Sequence, residues 1–193
     1  EYGGFTGAVV NLVTKSGGNE FQGDVSTYYG DSSLTSGDTA DEVDSDWEVN
    51  FGLGGPIQRD KVWFFVSGEE RERTVTPFFA ADAPADDRDE YVREYHRYMG
   101  KITWQVDPSN KVLGLVDYDG LDTANRNVGA FTLASGAYTQ DSPNWSYNVS
   151  WESLVNDNNF VSVKLTGFDG ANDSLPNAGG GVPGRSDQES GFQ

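Results

Sequence analysis

An antiparallel transmembrane β-barrel, present here as about seven strands of a larger one, is the all-β fold the sequence predicts. Three observations lead there: runs of strict apolar–polar alternation, connections that are by turns long and short, and aromatic residues gathered near the strand ends. Composition agrees with a β-rich chain. Aromatics make up 13% of the 193 residues and glycines number 24, whereas disorder depletes aromatics.

The clean strands come first. Trp47, Val49, Phe51 and Leu53 alternate with Glu48, Asn50, Gly52 and Gly54. Tyr98, Ile102, Trp104 and Val106 alternate with Met99, Lys101, Thr103 and Gln105. Trp145, Tyr147, Val149 and Trp151 alternate with Ser146, Asn148, Ser150 and Glu152. Val161, Val163 and Leu165 alternate with Phe160, Ser162, Lys164 and Thr166. A two-residue period places each set on one face of a strand. Segments 21–29 and 112–118 follow the same pattern less cleanly, and 62–71 begins apolar on both faces.

Between these strands the connections 30–46, 72–96 and 119–144 are long, and 54–61, 107–111 and 155–159 are short. Such regularity fits short periplasmic turns at one rim and longer extracellular loops at the other. A soluble sandwich has no general reason for it. The short connections carry turn chemistry, with Asp107-Pro108-Ser109-Asn110 suited to a type I turn and Asn156-Asp157-Asn158-Asn159 equally turn-forming. The long connections hold 16 acidic against 4 basic residues. Trp47, Tyr98 and Trp145 fall near the long-loop rim, and Trp104 and Trp151 near the turn rim, as two aromatic belts would.

A formal charge of −18 argues against nucleic acid as a partner, since phosphate binding needs clustered Lys and Arg. Cysteine is absent, which excludes a disulfide framework and thiolate chemistry. No run nears the ~18 apolar residues of a transmembrane helix, a test that barrel strands escape. The chain starts without Met or a leader and ends without a terminal pattern, so it reads as a piece of a longer protein.

Two stretches now identify a family. Gly7-Ala8-Val9-Val10-Asn11-Leu12-Val13-Thr14-Lys15-Ser16-Gly17-Gly18-Asn19 closely resembles the end of the plug domain in TonB-dependent outer-membrane receptors, above all the Oar-like branch, whose members often carry a carboxypeptidase-regulatory-like domain. Leu53-Gly54-Gly55-Pro56-Ile57-Gln58-Arg59-Asp60-Lys61-Val62-Trp63-Phe64-Phe65 resembles that family's second strand, first periplasmic turn and third strand. The resemblance implies a division into 1–19, the C-terminal end of a plug, and 20–193, the N-terminal part of the barrel. It further implies energy-coupled uptake across the outer membrane, with TonB and its ExbB/ExbD motor acting through a region N-terminal to this chain. Outer-membrane lipid and an extracellular substrate of unknown identity would be the other partners. Val9, Val10, Leu12 and Val13 would be buried within the plug.

By the same resemblance Gly54-Gly55-Pro56 would end a descending strand, and Gln58 to Lys61 would turn at the periplasmic rim. Trp63 and Phe65 share one face and Phe64 and Val66 the other; the pattern does not say which meets lipid. Seven strands cannot close a family barrel of ~22, and an open edge in lipid leaves backbone groups unpaired.

Candidate chemistry is sparse, and no catalytic residue, cofactor or metal site is assigned. His96, the single histidine, lies in Arg93-Glu94-Tyr95-His96-Arg97-Tyr98, where nothing marks a nucleophile and an orienting acid beside it. Asp117, Asp119 and Asp122 have a loose calcium-like spacing, as do Asp41, Glu42, Asp44 and Asp46, yet neither set matches the twelve-residue calcium loop. The sequence assigns no ligand-binding residues. Two readings stand beside the transporter: a surface-binding barrel without transport, and a secreted β-sandwich that stacks sugars on tryptophan.

Overall fold

The computed structural model describes residues 14–34 and 42–179. They form one antiparallel sheet: β1 (Gln22–Asp31), β2 (Glu42–Gln58), β3 (Val62–Thr76), β4 (Tyr91–Asp107), β5 (Asn110–Arg126), β6 (Tyr138–Asn156), β7 (Asn159–Gly170) and β8 (Asp173–Pro176). The strands lie in sequence order from β1 to β7, and β8 pairs with the first residues of β6 beyond the reach of β7. From β1 to β7 every neighbour is therefore a hairpin partner, the meander that up-and-down barrels use. Among the described residues β1 pairs only with β2 and β7 only with β6, so the sheet is open.

Among the described residues no second sheet covers it. A sandwich of two sheets is thus absent from the described residues. The burial pattern is inverted relative to a soluble domain. Val25, Phe51, Ile102, Val149 and Leu165 lie 41–73% exposed, while Lys101, Thr123, Gln140 and Ser150 are buried.

Register shows how this arises. Directly opposed residues share a face. One row reads Phe64, Ile102, Gly114, Val149, Leu165 across β3 to β7, and another reads Phe51, Gly68, Tyr98, Tyr118, Trp145 across β2 to β6. These rows make an apolar face. The rows between them make a polar one: Gly52, Ser67, Met99, Asp117, Ser146, then Asn50, Glu69, Arg97, Asp119, Asn144. Trp104 and Trp151 share a row near the turns, and Tyr98, Tyr118 and Trp145 share one toward the long connections. The tyrosine rings stack at 6.1 Å, and Tyr118 meets Trp145 at 4.7 Å. Six residue steps separate the rows, roughly 20 Å along a strand, close to the ~25 Å apolar band of membrane barrels.

Two expectations need correction. The strands run well beyond their alternating segments, so the long connections shrink to 32–41, 77–90 and 127–137. Backbone pairing continues past the apolar band, where both faces are polar and alternation has no reason to persist. Gly54 to Pro56 does not end a strand either. β2 continues to Gln58, and Pro56 sits at a register shift, where a missing donor is tolerated.

Candidate functional site

The polar face carries a strap. Residues 14–19 precede β1 and cross the polar face above β2 to β4, where three contacts fix them, whereas Phe21, just before β1, already packs on Phe64 of the apolar face. Lys101, only 7% exposed, donates through Nζ to Thr14 O at 3.1 Å and to Thr14 Oγ1 at 2.9 Å. Gly17 lies so close to the backbone that a Cβ would stand 2.0 Å from Phe64 O and 2.9 Å from Gly55 O. Asn19 accepts from Asp60 N and Trp63 Nε1, each at 2.8 Å, and its own amide donates to Asp60. Asp60 has φ of 59°, so Asn19 holds the one left-handed residue of the β2–β3 turn.

These contacts answer the open question at Trp63 to Val66. Trp63 and Phe65 face the strap, and Phe65 is buried at 9% exposure beneath it; Phe64 and Val66 lie on the apolar face. Between strap and sheet runs a cleft of about 390 Å³, lined by Lys15, Asp24, Ser67, Glu69, Arg97 and Asp117 among others.

Beyond the cleft, toward the long connections, the polar face becomes a charged ladder. Arg97 donates to Glu69 at 2.9 Å and Asp119 at 3.3 Å. Arg71 grips both oxygens of Asp46 at 2.9 and 2.7 Å, and this paired bond raises its pKa above the ordinary arginine value. Tyr91 lies against Arg93, and Tyr95 against Arg97 and Arg71, with guanidinium–ring separations of 4.8, 5.2 and 6.0 Å. A planar cation on an aromatic face keeps its attraction even where water is excluded.

The residues singled out from sequence separate. Asp117 and Asp119 lie on the polar face and Asp122 on the other, so the calcium-like spacing is divided by the pleat of β5. Asp41 lies outside the described residues, while Asp44 accepts from Thr76 at 2.6 Å and Asp46 pairs with Arg71. His96 meets carboxylates on both ring nitrogens, Glu70 at 2.5 Å and Asp122 at 3.6 Å, rather than a hydroxyl. Val9, Val10, Leu12 and Val13 also lie outside the described residues. The strap's hold through Lys101 and Asn19 was not foreseen, because partners more than forty positions apart leave no local signal.

An open all-antiparallel sheet with one apolar face, one polar face and two aromatic rows defines the class: part of a β-barrel. The chain is similar to the TonB-dependent transporter Oar of Myxococcus xanthus, 30% identical over 169 residues, covering 69% of this chain and 16% of that protein. It therefore spans about one sixth of the length of the curated relative it matches. No family model matches, and no solved structure matches significantly. The resemblance to Oar-like TonB-dependent receptors seen in the two sequence motifs is thus supported by an independent comparison.

Proposed function

We propose that the chain is part of a TonB-dependent outer-membrane receptor that takes up a substrate with energy supplied from the inner membrane, and that it has no catalytic role. The observation that carries this reading is the strap lying on the polar face alone. In a plugged barrel the lumen side is polar and covered, and the lipid side is apolar and bare. On this reading Thr14 to Asn19 are the last residues of the plug, the apolar face of β2 to β7 meets lipid, and the long connections are extracellular. The Oar relative is a transporter by name, which favours transport over a barrel that only binds at the surface. TonB and its ExbB/ExbD motor would act on the plug N-terminal to residue 14.

The test is made on the full-length receptor. It is expected to sediment with outer membranes, to migrate faster on a gel before boiling than after, and to retain the purified periplasmic domain of TonB. Recovery in the soluble fraction would overturn the barrel. A heat-shifting barrel that does not retain TonB would overturn transport and leave the surface-binding reading.

A further inference from the structure

On the apolar side of the sheet, one row past Tyr98 and Tyr118, the character changes abruptly. Glu70 stands opposite His96, and in the next row Glu72, Glu94, Asp122 and Asp141 are directly opposed across four strands. Like charges opposed across a ladder repel.

Acidity by itself would mark a solvated rim. What distinguishes one part of the row is a donor set of mixed chemistry in ligand geometry. Glu94 and His96 are two apart on β4 and so project from one face, and Asp122 sits directly across on β5. One donor atom from each lies within 4.8 Å of the others. Two ligands at i and i+2 on a strand plus one on its neighbour give three converging donors with outward positions left for water.

His96 is also oriented from behind. Its Nδ1 lies 2.5 Å from Glu70 Oε2, and its Nε2 faces Asp122 Oδ2 at 3.6 Å. A proton on Nδ1, donated to Glu70, leaves the Nε2 lone pair directed at Glu94 and Asp122. That carboxylate–imidazole pairing is the outer support that metal-ligating histidines ordinarily have.

We propose that Glu94, His96 and Asp122 bind one first-row divalent transition cation, of the zinc class, on the lipid-side face just outside the aromatic belt. Two carboxylates balance the charge of the ion, and the imidazole selects against magnesium and calcium, which take oxygen ligands. The site ties β4 to β5 where opposed acids would otherwise push them apart. It rests on the pairing of β3 to β6 and not on transport, so it stands or falls separately from the proposed function.

The experiment uses the full-length receptor in detergent, stripped with a chelator, with Zn²⁺ as probe against a fluorescent chelating dye. Wild type is expected to bind one more Zn²⁺ per chain than His96→Gln or Asp122→Asn, with Ca²⁺ and Mg²⁺ unable to displace it at equal concentration. Glu70→Gln is expected to weaken binding about tenfold, the scale of a lost supporting contact. Glu72→Gln, in the same acidic row but outside the donor set, is expected to leave it unchanged. Each variant is kept only if its unboiled gel mobility shift matches wild type. Equal zinc counts in wild type and His96→Gln would overturn the site and make His96 a plain ion-pair partner of Glu70 and Asp122. Equal weakening by Glu72→Gln and Glu94→Gln would overturn it as diffuse charge.

Discussion

The two faces of this sheet are made by the same strands, and they obey opposite rules. On the apolar face Ile102, Val149 and Leu165 are exposed apolar side chains, so their work is done by transfer from water into an apolar surrounding. On the polar face charged groups are held by partners: Arg97 by Glu69 and Asp119, Arg71 by Asp46, Lys101 by Thr14. One face needs only a property; the other needs partners. Substitutions should therefore be judged by polarity on the first and by geometry on the second.

The largest expected effect comes from violating the polarity rule at mid-band. Val149→Arg in the full-length receptor should cost about 2–4 kcal/mol of folding stability in vesicles, while Asn148→Arg on the polar face should cost under about 1. Urea unfolding followed by gel mobility measures both. Similar losses at the two positions would erase the distinction between faces.

Next is the geometry rule beneath the strap. At Gly17 the obstacle is backbone on both sides, so Gly17→Ala must lift the strap from β2 and β3. A cost of about 1–3 kcal/mol is expected, with faster proteolysis around residues 14–21 and unchanged barrel mobility. Gly18→Ala, which meets nothing within 4 Å, is the matched control and should be silent.

Asn19→Ala removes three hydrogen bonds, two with Asp60 of the β2–β3 turn and one from Trp63 of β3, and should cost about 1–2 kcal/mol. Hydrogen exchange at Asp60 to Trp63 should rise, and exchange in the β4–β5 turn should stay as it was.

The smallest effect concerns that second turn. Asp107 accepts from Ser109 N at 2.8 Å and from Asn110, and these bonds hold its carboxyl below the usual range. A depressed folded-state pKa stabilises above the unfolded value near ~3.9 and loses that contribution as pH falls through the folded one. Exchange in 107–110 should thus rise as pH drops below about 4, once corrected for intrinsic rates, and Asp107→Asn should remove most of that dependence.

Much of the fold was legible because it repeats. A two-residue period names the faces of β2, β4, β6 and β7, and Asp107 and Asn156 announce their turns through side chains that reach only two or three residues ahead. Strand ends were not legible. Beyond Trp47 and Trp145 both faces are wet, so alternation stops while backbone pairing goes on. Tyr118 was missed as a belt residue because its strand alternates poorly, yet register puts it between Tyr98 and Trp145.

What the sequence determined by itself is therefore everything set by neighbours a few residues apart: strand identity, face composition, turn position and the family motifs. Tertiary structure decided which face is covered, why Gly17 and Asn19 stand where they do, and that Glu94, His96 and Asp122 converge while Asp117 and Asp119 turn away. Those outcomes depend on register, and a shift of one residue would send every side chain to the opposite face. Each hairpin turn sets the register of one pair, but which residues line up across β2 to β6 follows only when all the pairs are assembled.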